Sequence, residues 1–207
     1  MEERPKIGFI VEGHCEYDSI PSFVGKILGY FNFPIQNAKG IGNILRNLEN
    51  ELYLLIKIHE PQNIIISLDY LEAYKEGYCA DCIDLKRKVY AKVNEFIRTH
   101  SMSSLVMPEN VTVVIADKTF DSWLCSDLEG LKCCSLINPD SITEIFVNTD
   151  EEIDNPGFWL KGKTKDSIDF KNRRYRKALA SSIRPEVGEL YSRSFRKFIK
   201  EVRAGVA

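Results

Sequence analysis

Nothing in this sequence provides for a membrane. No uncharged apolar run approaches the ~20 residues that a hydrocarbon span needs, and no basic n-region leads into an apolar stretch and a small-residue cleavage site. The expectation is a soluble, cytoplasmic protein with no membrane partner. Histidine is scarce: His14, His59 and His100 are the three, and no His-x-x-x-His pair exists among them. The six cysteines therefore have no regular imidazole complement. With no export signal, Cys15, Cys79, Cys82, Cys125, Cys133 and Cys134 are expected to be reduced thiols rather than a disulfide framework. Cys79-Ala-Asp-Cys82 is a CxxC and Cys133-Cys134 could add two ligands, but strong zinc signatures pair two regular knuckles. The reading is therefore against zinc, in favour of a loop cysteine pair plus small buried hydrophobes. Bound zinc at those four residues would instead mark an interaction protein. Internal repeats, low-complexity tracts, P-loops and dinucleotide fingerprints are also missing. Gly40-Ile41-Gly42 lacks a third glycine and follows a poor strand.

What remains is a chain of 207 residues, 44% hydrophobic, long enough to bury a sizeable core as one domain. Its charge is unevenly spread. Between Lys161 and Arg203 fourteen Lys/Arg stand against five Asp/Glu, so the rest carries −11 of a total of −2. A basic C-terminal region on an acidic body suits a protein that gathers carboxylates at one site and holds a polyanion beside it. An ordinary solvated helical face would show the same excess.

The hydrophobic pattern alternates. Ile7 to Val11 reads as an unbroken apolar strand, and Ser19 to Tyr30 has the spacing of an amphipathic helix through Ile20, Phe23, Val24, Ile27 and Leu28. Phe33-Pro34-Ile35 is a weak or edge strand. A second helix opens at Gly40 to Asn43, and Asn63 to Leu68 is the clearest strand, ending at Asp69. A polar loop holding Gly77 and the CxxC leads to a third helix from about Asp81 to His100. A fourth strand, Val111 to Ala116, ends at Asp117, with Asp121 just beyond. Strands separated by helices predict a parallel sheet with right-handed crossovers.

In an open α/β sheet the ligand site lies off the carboxyl ends of the strands. Glu12, Asp69, Asp117 and Asp121 are expected there, with Glu16 on the following helix. Crowded carboxylates call for a cation or bound protons, and hard oxygen donors favour Mg²⁺ or Mn²⁺ over zinc. Each has a plainer use, as an N-cap or as a first-turn charge on the helix dipole. Gly13 permits a sharp turn directly after Glu12.

These residues carry a resemblance. Val11-Glu12-Gly13-His14-Cys15-Glu16 is similar to the VEGxxE motif that opens TOPRIM domains of topoisomerases, primases and OLD-type nucleases. Leu68-Asp69 resembles the DxD strand. Ile115-Ala116-Asp117 and Phe120-Asp121-Ser122-Trp123-Leu124 resemble the third block of a bacterial TOPRIM-like family that reads F-E-x-W-L. Tyr175-Arg176-Lys177 and Ser192-Arg193-Ser194-Phe195-Arg196-Lys197-Phe198 are similar to its closing SxSF..F helix. Two departures stand out: Leu71 occupies the place of the second DxD aspartate, with Glu72 beside it, and Asp121 that of a glutamate.

The resemblance implies an α/β, TOPRIM-like (Rossmannoid), mostly parallel sheet flanked by helices, with a helical basic C-terminal extension. One domain would span 1–207, its core about 5–135 and its basic helical part about 155–204. It implies a Mg²⁺- or Mn²⁺-dependent nuclease acting on DNA or RNA, with an ATPase partner and a role in defence against phage, self-association being left open. Metal would be held by Glu12, Glu16, Asp69, Asp117 and Asp121, with Glu12, Asp69 and Asp121 catalytic. A lysine among Lys161, Lys163 and Lys165, with Lys163 preferred, would stabilise the phosphoryl transition state. Lys161, Lys165, Arg173, Arg174, Lys177, Arg193 and Arg196 would contact nucleic acid. The alternative is a degenerate module that binds nucleic acid, nucleotide or a partner ATPase without cleaving.

Overall fold

The structure, a computed structural model, describes residues 5–102, 104–165, 169 and 172–206; Lys171, one of the fourteen basic residues of the C-terminal region, lies outside them. In chain order the elements are β1 (Ile7–Val11), α1 (His14–Leu28), β2 (Ile35–Asn37), α2 (Ile41–His59), β3 (Asn63–Asp69), α3 (Tyr70–Lys75), α4 (Cys82–His100) and β4 (Asn110–Ala116). There follow α5 (Asp121–Leu124), α6 (Leu128–Lys132), a 3₁₀ turn (Pro139–Ser141), α7 (Thr149–Glu152), α8 (Pro156–Lys163), α9 (Arg173–Ser182), α10 (Pro185–Tyr191) and α11 (Arg193–Ala204). They form two compact units. One holds the residues up to Gly13, Asn32–Ile115 and those from Glu201 onward; the other holds His14–Phe31 and Ala116–Lys200.

The first unit is built on a four-stranded sheet of order β2-β1-β3-β4. β1 pairs in parallel with both neighbours, Phe9 opposite Ile35 and Ile65, and Val11 opposite Asn37 and Ser67. All five β1 residues are buried, which is why the strand reads as an unbroken apolar run rather than an alternation. A methyl group on Gly8 would come within 3.1 Å of Pro61 and 3.3 Å of Pro34, so the missing side chain lets two prolines close over the strand. Ile44, Leu48, Leu52, Leu55 and Ile56 of α2 share one aliphatic core with Leu85, Val89, Val93 and Phe96 of α4 and with Ile10, Ile64, Ile66, Leu68 and Val113 of the strands. α2 starts after Gly40, whose φ of 112° is open to glycine and strained for other residues. α4 is capped by Asp81, which accepts from the Asp84 amide at 2.7 Å. Gly42 has a packing role: a methyl there would lie 2.5 Å from the Tyr78 hydroxyl.

The second unit is helical. Its centre is aromatic, with Trp123 stacked on Phe195 at 5.2 Å and tilted against Phe198 at 4.9 Å, and Phe23 4.9 Å from Phe195. Phe195, Phe198 and Ile199 of α11 are fully buried, at the i, i+3, i+4 spacing of an amphipathic helix. α1 packs along α9.

The elements differ from the sequence reading in two places. α1 begins at His14, five residues before Ser19, and carries Pro21 within it; apolar periodicity begins only at Ile20, so the polar first turn was invisible to it. Residues 70–75 are helix α3 rather than loop, a segment too short to show a period. No helix among the described residues is long and apolar enough to cross a membrane.

Candidate active-site residues and a cationic pocket

In the first unit Glu12 directly follows β1 and Asp69 ends β3, the two strands being parallel neighbours with Val11 opposite Ser67. The structure thus brings these two residues to one sheet edge. Glu12 is 3% exposed, and its Oε2 accepts from the Asp69 amide at 2.9 Å. Its carbonyl accepts from the Gly40 amide at 2.7 Å. Backbone from two other segments therefore fixes the buried residue. Asp69 stands at the N-cap of α3 without a side-chain cap bond, so the plain capping use of this carboxylate is not made. Leu71 lies in the first turn of α3, and Glu72 is exposed on the same turn. The helix leaves no loop to curl Glu72 back.

In the second unit Glu16 is buried in the first turn of α1. Asp117 is exposed just after β4; partial desolvation and then the neighbouring Asp150 push its carboxyl above the usual range. Asp121 opens α5 and accepts from the Cys15 thiol at 3.4 Å. Loss of hydration pushes its carboxyl up, only partly opposed by that bond. The same desolvation, with Asp121 nearby, pushes the buried Cys125 thiol well up.

Asp121 looks into a pocket of about 680 Å³ lined by His14, Cys15, Leu124, Gly157, Leu160, Lys161 and Arg176. Four helices line it: the first turn of α1, the Asp121/Leu124 pair of α5, Gly157, Leu160 and Lys161 of α8 at i, i+3 and i+4, and Arg176 of α9. A methyl on Gly157 would sit 2.6 Å from Asp121 Oδ2, so glycine is what lets α8 approach the carboxyl. Asp121 is the one carboxylate among the described lining residues, which also include Lys161 and Arg176.

The other basic candidates are spread out. Lys163 donates to the Ser141 carbonyl at 2.7 Å and to Glu144 Oε1 at 2.5 Å, and lies over the Trp159 ring. Desolvation works against Glu144, yet hydrogen bonds led by Lys163 hold its pKa at about 2. Lys165 donates to the Ser135 carbonyl, Arg193 pairs with Glu151 at 3.0 Å, and Arg196 donates to the Glu189 and Leu190 carbonyls. Arg173 binds Asp18 Oδ1 at 2.9 Å. Arg174 and Lys177 are exposed on α9, and among the described residues their side chains have no partner.

Sequence reasoning passed over Asp18 and the pocket role of Arg176. Asp18 is 4% exposed and holds Arg176 through Nε at 2.9 Å and Nη2 at 2.5 Å, together with Arg173. Periodicity gave no signal for it: two residues before Ile20, Asp18 falls on the other side of the helix from the Ile20, Phe23, Val24 stripe, and its burial comes from the packing of α1 along α9.

No group of three or more His, Cys, Asp or Glu side chains among the described residues is arranged to hold a metal ion. The cysteines divide, Cys79 and Cys82 in the first unit and Cys133 and Cys134 in the second. For Mg²⁺ or Mn²⁺ the test is the donor set. Glu12 and Asp69 offer two carboxylates on one rigid edge, which fits a hard cation that keeps most of its waters and falls short of an all-protein cage.

No family model matches the chain, and no curated protein matches it. Among solved structures it is similar to the C-terminal region of the Burkholderia pseudomallei OLD protein, with a TM-score of 0.51, 14% sequence identity, and coverage of 98% of this chain and 99% of that one. The likeness shows the fold: a TOPRIM-like α/β arrangement of a mostly parallel sheet flanked by helices, with helices at its C-terminal end.

Proposed function

We propose that the chain is a TOPRIM-type phosphodiesterase acting on nucleic acid, with Glu12 and Asp69 as the residues that hold Mg²⁺ or Mn²⁺. One observation carries the reading: two carboxylate residues end neighbouring parallel strands, and the buried one is oriented by the other's amide. The likeness to the OLD C-terminal region supports the same class. Once bound, such a cation lowers the pKa of its water and offsets charge on a phosphoryl oxygen.

The chain's own part is placement. The Asp69 amide fixes one Glu12 oxygen, so the carboxylate does not reorient when a ligand arrives. Asp69, the last residue of β3, would supply the second carboxylate. Lys163 is committed to Glu144, so no charge neutralisation is assigned to it. Arg174 and Lys177 offer exposed cations to a phosphate backbone. Glu16, Asp117 and Asp121 as further ligands, an ATPase partner and a role in phage defence belong to the same proposal on the strength of the resemblance alone.

Leu71 favours a second reading, a module that binds nucleic acid without cleaving it, because an apolar side chain stands where the resemblance expects a second ligand. One assay separates the two. Single- and double-stranded DNA, RNA and tRNA are incubated with the protein in Mg²⁺ or Mn²⁺, beside Glu12→Gln and Asp69→Asn. The first reading expects cleavage that each substitution reduces about 100-fold or more. Cleavage untouched by both refutes the assignment, and binding without cleavage by the unaltered protein selects the second reading.

A further inference from the structure

One stretch of the second unit has the sequence of a strand and no sheet to join. Ile142-Thr143-Glu144-Ile145-Phe146-Val147 is rich in β-branched and aromatic residues, yet it lies outside every helix and strand. The chain is extended at both ends of it, with φ −95° and ψ 95° at Ile142 and φ −144° and ψ 103° at Asn148. Burial alternates along it. Ile142 is buried, Glu144 and Phe146 are half-buried, and Thr143, Ile145 and Val147 are exposed, the last two at 90% and 81%. This is the period of a strand with one face on protein and one in water.

Its backbone is open as well. The Thr143 amide donates to Glu144 Oε2 and the Val147 amide to Glu152 Oε1. Among the described residues the amides and carbonyls of Glu144, Ile145 and Phe146 have no hydrogen-bond partner. An unpaired, apolar, extended segment is a template for a further strand. Two hollows flank it, one of about 410 Å³ with Leu128, Val187 and Tyr191 in its wall, the other of about 510 Å³ with Ile153, Phe158 and Trp159; Glu144 and Phe146 line both. Strand addition draws affinity from main-chain hydrogen bonds and specificity from pockets for alternate side chains.

Charge selects the kind of strand. From Cys133 to Leu160 the sequence has six Asp/Glu and no Lys or Arg. Lys163, Arg193 and Lys118 pair with Glu144, Glu151 and Asp154, and Asp150 is buried. Exposed Asp140 and Glu152 are left with no cationic partner among the described residues. A second copy of this strand would bring the same acidic residues to the same place, whereas a segment carrying Lys or Arg complements them.

We propose that residues 142–147 accept, by strand addition, an extended basic segment of a partner protein. Its β-branched or aromatic residues at alternate positions fill the two hollows, and flanking Lys or Arg meet Asp140 and Glu152. The docking is independent of Glu12 and Asp69, which belong to the first unit, and it needs no metal.

The test is selection of a displayed library of random dodecapeptides on the full chain in a chelating buffer. The enriched sequence is then titrated as a free labelled peptide, as its backbone N-methylated form, and with its Lys and Arg replaced by Glu. Enriched sequences should alternate apolar with polar residues and carry Lys or Arg, and both altered peptides should bind about tenfold more weakly or worse. Ile145→Lys should cause a like loss with the thermal midpoint unchanged, since Ile145 is 90% exposed, and Ile145→Val should retain binding. No enrichment, enriched sequences without basic residues, N-methylated peptide binding as tightly as the parent peptide, or binding that Ile145→Lys leaves unchanged overturns the proposal. So does a dimer in analytical ultracentrifugation that Ile145→Lys dissolves, which makes a second copy the occupant.

Discussion

The two units of this chain are held together in different ways. The core of the first is aliphatic, made of Ile, Leu and Val from three strands and two long helices. The second has short helices around an aromatic centre, and it buries carboxylates. Asp150, 1% exposed, accepts from Ser122 Oγ at 3.0 Å, Ser192 Oγ at 2.8 Å, the Ser194 amide at 2.8 Å and Ser194 Oγ at 3.2 Å. Trp123 Nε1 donates into the same network through Ser194 Oγ at 2.8 Å. Asp127, equally buried, accepts from the Gly130 amide and from the amide and guanidinium of Arg184. Where helices are too short to define their own packing, fixed polar contacts define it, at the cost of leaving those donors unsatisfied if one acceptor is lost.

This contrast can be broken or sharpened by substitution. The largest effect is expected from Asp150→Ala, which strands four donor contacts in a buried site and should cost about 3–4 kcal/mol in urea unfolding. A loss below about 1 kcal/mol would remove the polar account of the second unit. In the first unit Leu52→Ala, at a fully buried position, should cost about 2–4 kcal/mol. That loss should be the same at pH 4 and pH 7, because no titrating group is involved.

Asp127→Asn should cost less, about 1–2 kcal/mol at neutral pH, because the Arg184 side chain is nearly half exposed and solvent screens the pair. Its pH dependence has a definite sign. Burial works to raise the Asp127 pKa, but Arg184 and two amides win and hold it below 3.8. The stabilisation is complete above 3.8 and is lost as pH falls through the folded value, so variant and parent curves should converge in acid. Asp121→Asn should show the smallest effect, under about 1 kcal/mol, with the opposite slope. The Asp121 pKa is raised above 3.8 by burial, so the folded state favours the proton, and stability falls as pH rises from 3.8 toward the folded value. The asparagine variant should gain on the parent between pH 4 and pH 7. A parallel pair of curves would contradict the desolvated carboxyl.

The same contrast explains what the sequence made legible. Continuous apolar runs announced β1, β3 and β4, and the 3.6-residue rhythm announced α2 and α4, because both signals are local and the units they build are long. The position of Glu12 and Asp69 at strand ends follows from where those runs stop. Between Asp117 and Ser192 the information is non-local. Asp127 finds Arg184 57 residues away, Asp18 finds Arg176 158 away, and Lys163 finds Glu144 19 away, separations that no periodicity encodes. The Ser192-Arg193-Ser194-Phe195 motif was legible as a likeness without a reason. The structure supplies one: Ser192 Oγ accepts from the Phe195 amide at 3.0 Å while both serines bind Asp150. The motif is the start of α11 and its anchor.

The central claim, that Glu12 and Asp69 form the cation-holding edge, is tested most directly by Mn²⁺ titration followed by electron paramagnetic resonance on the parent, Glu12→Gln and Asp69→Asn, each checked for folding by circular dichroism. The account predicts a site that Mg²⁺ displaces and that either substitution weakens by about tenfold or more. Mn²⁺ bound equally well by all three folded proteins, or by none of them, would contradict it.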